Sequence, residues 1–156
     1  MFVVTPDPLS VSPFPKLLDA ELTVSSAPLG DRFFAWGFPD SDVYGTSHRG
    51  FLVDPLRRTW GATADVPQRA NPLLATVNGR VVIWGGNAPN SGTSTPLGEP
   101  RNDGAVFDPT SGTWSPITCI GAPTPSAYYF ALVATNAGLV MFSGSEVPAG
   151  NAILEL

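Results

Sequence analysis

The sequence predicts an all-β protein built from a repeated four-stranded antiparallel unit. Three observations carry that expectation. The 156 residues include 16 Gly and 17 Pro, a breaker on average every fifth residue, which argues against a helical bundle. Hydrophobic residues make up 43% of the chain, among them 9 Phe, 4 Trp and 3 Tyr, enough apolar material for one core despite the turn-rich composition. Finally, Gly50-Phe-Leu-Val-Asp-Pro-Leu-Arg-Arg-Thr-Trp60 recurs as Gly104-Ala-Val-Phe-Asp-Pro-Thr-Ser-Gly-Thr-Trp114, with Gly, Asp, Pro, Thr and Trp identical at an offset of 54 residues.

Each unit reads as four strands, a to d. Strand a is Leu22-Thr-Val-Ser-Ser-Ala-Pro, Leu73-Leu-Ala-Thr-Val or Phe130-Ala-Leu-Val-Ala-Thr, each an extended apolar run closed by a tight turn. Asn78-Gly79 is the dipeptide expected of a two-residue hairpin, because both positions need positive φ. Strand b follows as Arg32-Phe-Phe-Ala-Trp-Gly-Phe38, Arg80-Val-Val-Ile-Trp-Gly-Gly86 or Gly138-Leu-Val-Met-Phe-Ser-Gly144, where four apolar residues run into small ones that allow close backbone approach. Strand c is Phe51–Asp54 or Ala105–Asp108, and strand d starts near Trp60 or Trp114. Between c and d, Asp-Pro makes a compact turn, the carboxylate accepting backbone N–H groups and Pro fixing φ. Each Trp then returns a large ring toward a neighbouring sheet, so Trp60 and Trp114 are expected at equivalent buried positions. The a–b and c–d links are short, and the b–c connections (38–50, 87–104, 145–151) are long.

A period near 50 residues with four strands per unit is the pattern of a β-propeller blade. The run Val82-Ile-Trp-Gly-Gly, a long loop, and Ala105-Val-Phe-Asp-Pro-Thr-Ser-Gly-Thr-Trp resembles a kelch repeat in its diglycine, its aromatic and the Trp seven residues later. The resemblance covers most of the chain. Residues 17–66 form blade one, with Gly37-Phe38 replacing the diglycine and Val53 the aromatic; 67–124 form blade two; 125–156 form a partial blade three, with Ser143-Gly144 and no Trp. It implies a kelch-type propeller segment of three four-stranded antiparallel blades, the third incomplete, where such propellers usually have six or seven.

Residues 1–16 are left as an extended segment, with Phe2-Val-Val-Thr and Leu9-Ser-Val-Ser available as a closing strand. Two arrangements are open: the chain belongs to a longer propeller, or two copies close a dimeric six-bladed ring in which each N-terminal strand pairs beside the partner's Ile153–Leu156. A homodimer or further blades are therefore the expected partners.

Charge and chemistry narrow the function. The net charge is −5, and the 8 basic residues are Lys16 and seven scattered arginines, so a nucleic-acid footprint is not expected. No apolar run is long enough for a membrane helix, no signal peptide is recognisable at Met1-Phe-Val-Val, and Cys119 is the only cysteine; together these favour a reducing, cytoplasmic setting. His48 is the single histidine, so no His-paired metal site is expected, and no cofactor. No Gly-x-Ser-x-Gly elbow or phosphate loop is present; Ser126 reads as a loop residue and Cys119 as a small hydrophobe. Asp54 and Asp108 are assigned to their turns rather than to glycoside hydrolysis.

In an a-b-c-d meander the b–c loops and the d-to-a links leave the same end. That end collects His48, Arg49, Arg69, Asn87, Asn90, Arg101, Asn102, Asp103 and Tyr128. Arginines, amides and a tyrosine on a rigid scaffold suit recognition of a protein, small-molecule or glycan ligand. The expected function is a non-catalytic binding module. The alternative is part of a galactose-oxidase-like or glycan-processing propeller enzyme whose active residues lie outside this chain.

Overall fold

The structure is a computed structural model, and it describes residues 2–6, 9–13, 22–39, 48–66, 68–88, 98–117, 130–135, 138–143 and 152–154. All regular structure among them is antiparallel strand. β1 (Phe2–Pro6) and β2 (Leu9–Pro13) pair with each other, Phe2 opposite Pro13. A four-stranded sheet follows in the order β3 (Leu22–Leu29), β4 (Arg32–Pro39), β5 (Arg49–Asp54), β6 (Thr59–Ala62). The second sheet has the same order, β7 (Leu73–Val77), β8 (Arg80–Trp84), β9 (Gly104–Asp108), β10 (Thr113–Ile117). The third contains β11 (Phe130–Thr135), β12 (Gly138–Ser143) and β13 (Ala152–Leu154).

The turns form where the residue types demand them. Asn78 (φ 49°) and Gly79 (φ 72°) both take the left-handed conformation that joins β7 to β8. Asp54 Oδ1 accepts the Arg57 N–H at 2.8 Å, and Asp108 Oδ1 accepts the Thr110 N–H at 2.8 Å, so both Asp-Pro turns close as the sequence indicates. These hydrogen bonds hold both carboxyls below the usual carboxylate range, chiefly through the Arg57 and Thr110 amides respectively.

The repeated Gly has a reason that lies in pairing. Gly50 stands opposite Trp36 and Gly104 opposite Trp84, across the same pair of strands in the two sheets. A Cβ on Gly104 would come within 2.6 Å of both the Ile83 carbonyl and the Trp84 ring; one on Gly50 would meet Thr63 and the Phe34 ring. At Gly104 the Trp84 indole of the middle strand occupies the space that a side chain would need, and at Gly50 the Phe34 ring of the middle strand does so.

The sheets pack face to face. Phe34 and Trp36 of the first sheet share a buried cluster with Val81, Ile83, Ala105 and Phe107 of the second. The other face of the second sheet, Ala75, Val77 and Val82, packs with Leu139 and Leu132 of the third. The first strands lie side by side: β7 contacts β3 on one flank and β11 on the other. Trp60 and Trp114 do hold equivalent register, opposite Val53 and Phe107. They are half-buried rather than buried, because each sits on the outermost strand of its sheet. No helix among the described residues is long and apolar enough to cross a membrane.

The two N-terminal strands pair with each other as a hairpin, and among the described residues neither adds to the third sheet of its own chain.

Candidate functional site

At the end of the sheets remote from the hairpin turns, the chain continues beyond β8 as a short ladder. Ala70 and Asn87 exchange backbone hydrogen bonds at 2.9 Å, Arg101 N donates to Gly86 O at 2.8 Å, and Ala88 N donates to Glu99 O at 2.8 Å. Gly86 makes this possible. Its φ is +79°, and a Cβ there would overlap the Ala70 carbonyl.

Arg69 is enclosed beneath this ladder, with no exposed surface. Its Nη1 donates to Gly85 O at 3.1 Å and to Asp103 O at 3.0 Å, and its Nη2 donates to Asp103 Oδ2 at 3.3 Å. A buried guanidinium needs partners for its donors, and two main-chain carbonyls at the end of the second sheet together with the Asp103 carboxylate provide them here. On the first sheet, Trp36 Nε1 donates to the Arg69 carbonyl at 3.2 Å, and the Trp36 ring stacks on buried His48 at 6.0 Å. Arg69 therefore ties two sheets together through its main chain on one side and its side chain on the other.

Asp103 also accepts from Arg101: Nε to Oδ1 at 2.8 Å and Nη2 to Oδ2 at 2.9 Å, a bidentate pair. The Arg101 hydrogen bonds hold the Asp103 carboxyl below the usual carboxylate range; burial opposes this and the Arg69 charge adds to it. The Arg101 guanidinium is pushed up by the same hydrogen bond. A carboxylate pinned between two guanidiniums leaves a fixed local excess of positive charge at a partly open edge.

The structure brings together most of the residues that the sequence singles out at this end, in different roles. Arg69, Arg101 and Asp103 form one cluster, and His48 joins it through Trp36. Asn87 is buried in the ladder, its Nδ2 donating to Gly98 O at 2.9 Å. His48, Arg69 and Asn87 are thus interior supports rather than surface groups. Arg49 and Asn102 are exposed, and Arg101 and Asp103 are half-exposed. Asn90 and Tyr128 lie outside the described residues, as do Ser126 and Cys119.

Sequence reasoning missed Trp36, whose indole N–H is the link between sheets, and Gln68, whose Oε1 is buried without a hydrogen-bond partner among the described residues. The only signal for Trp36 was its recurrence as Trp84 before a glycine. Among the described residues no group of three or more His, Cys, Asp or Glu could hold a metal ion. Compared with known proteins, the chain matches no family model and no curated protein.

Proposed function

We propose that the chain is a segment of a kelch-type β-propeller acting as a non-catalytic recognition module. Its sheets are the blades, and its binding edge is the end carrying Arg49, Arg101, Asn102 and Asp103. Adjacent first strands β3, β7 and β11 support the propeller reading, since inner strands ring the axis of such folds. The two full sheets also share one order and one pattern of marked residues.

The observation that carries the functional reading is the buried Arg69 beneath Asp103. A surface carboxylate–guanidinium pair on a flexible loop contributes little. Here the pair is held from below by an enclosed guanidinium, which fixes the direction in which Arg101 presents its remaining edge. Such fixed geometry lowers the ordering cost of binding. The excess positive charge at this edge suits an acidic peptide or an acidic glycan over a basic ligand.

The test is a comparison of wild type with Arg101→Ala and Asn102→Ala on arrays of acidic and neutral peptides and glycans. Binding to an acidic class that falls at least tenfold in Arg101→Ala, with an unchanged melting temperature, supports the reading. Wild-type binding that ignores both substitutions overturns it. Stoichiometric copper uptake by the purified chain would instead favour the oxidase-like alternative.

A further inference from the structure

The two Asp-Pro turns share one backbone and differ in what they display. Asp54 stands opposite Thr59 and Asp108 opposite Thr113, and each carboxylate accepts an amide N–H of its own turn at 2.8 Å. In the second sheet the residues after the proline are Thr110, Ser111 and Gly112, with Gly112 at φ 70°. That set makes the turn from small polar groups, with a glycine where the chain is left-handed. The first sheet carries Leu56, Arg57 and Arg58 at the same places. Arg58 takes φ 56°, a conformation that disfavours any side chain, and Leu56 is 78% exposed where the other copy has threonine. The turn itself requires neither the leucine nor the arginines, and backbone strain retained without a folding need points to a function.

A change of ion pairs accompanies the substitution. Arg80 opens β8 and pairs with Asp108 at 3.3 Å. Arg32 opens β4 at the same place in its hairpin, opposite Leu29 as Arg80 is opposite Val77. The acid that corresponds to Asp108 is Asp54, and Arg57 takes it, Nη1 to Oδ2 at 2.7 Å. Among the described residues Arg32 forms no ion pair. Between the a–b and c–d turns of this sheet lies an open groove of about 530 Å³, lined by Gly30, Asp31, Arg32, Asp54, Leu56 and Arg57. The two turns carry Arg32, Arg57 and Arg58 against Asp31 and Asp54, one positive charge in excess on a chain whose net charge is −5.

We propose that this groove docks an acidic peptide segment of a partner protein, with a carboxylate on Arg32 and a neighbouring apolar side chain against Leu56. The site lies at the hairpin end of the sheets and is independent of what the end carrying Arg101 recognises. Charge complementarity selects the occupant. A guanidinium with no acid of its own is matched by a carboxylate in two parallel hydrogen bonds. Asp54 does not neutralise Arg32, because it already accepts the Arg57 amide and guanidinium. Leu56 adds apolar surface directly beside the charge, the combination that interfaces use to gain both affinity and register.

The test is fluorescence anisotropy of the full chain with labelled short peptides that place Glu beside Leu, and with controls that carry Gln for Glu or Ser for Leu. Wild type should bind the Glu–Leu peptides at least tenfold more tightly than either control. Carrying the second turn into the first, as Leu56→Thr with Arg57→Ser and Arg58→Gly, frees Asp54 for Arg32. It should abolish binding and leave the melting temperature unchanged or higher, since the left-handed position then holds glycine. Arg32→Gln should weaken binding at least tenfold, and Arg101→Ala should not change it. A wild type that does not distinguish the peptides, a folded triple variant that still binds, or loss in Arg101→Ala alone overturns the proposal. Light scattering on the same samples covers the other occupant: a wild-type dimer that the triple variant dissolves assigns the groove to a second copy and overturns the peptide. If the triple variant misfolds, Leu56→Ser at this exposed position replaces it in the same assay. A tenfold loss then supports the proposal, and unchanged binding overturns it.

Discussion

Replacing Arg69 by Met removes the tie between the sheets while keeping most of the side-chain volume. The loss can be worked from its contacts. Gly85 O loses a charged donor at 3.1 Å, and hydrogen bonds to charged groups contribute about 1.5–3 kcal/mol each. Asp103 O loses a donor at 3.0 Å but keeps the Gly85 N–H at 2.9 Å, so its loss falls at the low end of that range. The ion pair with Asp103 adds no more than about 1 kcal/mol, because that carboxylate is about a third exposed and keeps Arg101. The sum is about 3–5 kcal/mol, or a fall in melting temperature of about 10 °C for a chain of this size. Urea unfolding followed by tryptophan emission is the assay, since Trp36 reports directly on the Arg69 carbonyl. Arg69→Lys, with a charge but no fork, should fall between wild type and Met. A loss under about 1 kcal/mol in Arg69→Met would refute the idea that buried donors hold this junction.

Gly86→Ala should destabilise by more than about 3 kcal/mol, since its positive φ is combined with a clash against the Ala70 carbonyl, whereas Gly112→Ala, at φ +70° with open space, should cost only about 1 kcal/mol; paired denaturant titrations check the contrast. Trp114→Ala should cost about 2–4 kcal/mol by thermal unfolding, through loss of its Phe34 and Phe107 contacts and its bond to Ala64 O. Asp103 has its folded pKa depressed by Arg101, so its contribution is fully present above the unfolded value near 3.9 and is lost as pH falls through the folded one. Asp103→Asn should therefore flatten the acid limb of a stability–pH profile below about pH 4 and leave its slope above pH 5 unchanged.

The all-β class, the strand order within both full units and the turns were legible because each rests on local chemistry. Asn78-Gly79 can turn in few ways, and an Asp-Pro carboxylate finds its amides within three residues. The long connections carry no such local code. The roles of His48, Arg69 and Asn87 depend on contacts across the chain: Arg69 meets Asp103 34 residues away, and its carbonyl meets Trp36 33 residues away. Nothing in the residue types distinguishes an arginine that will be enclosed from one that will face solvent. For the same reason the N-terminal strands were recognisable as extended, but their pairing with one another was not.

The repeat carries more information in its mismatches than in its identities. Gly50 and Gly104 are the same residue because an aromatic ring of the middle strand, Phe34 in one sheet and Trp84 in the other, fills the space beside each, and Asp54 and Asp108 because each closes a turn. At the next turn position Gly112 takes φ 70° while Arg58 takes φ 56°, a conformation that a side chain adopts only at a cost of about 1–2 kcal/mol. The first unit tolerates that cost because the Asp54–Arg57 ion pair at 2.7 Å and the Arg57 amide bond fix the preceding residues. The outer strands diverge in the same sense. Trp114 closes the junction behind it by meeting Phe34, whereas Trp60 meets Phe51 within its own sheet at 5.6 Å. Two copies of one motif thus do different work, and what decides is the neighbour each finds across the sheet face.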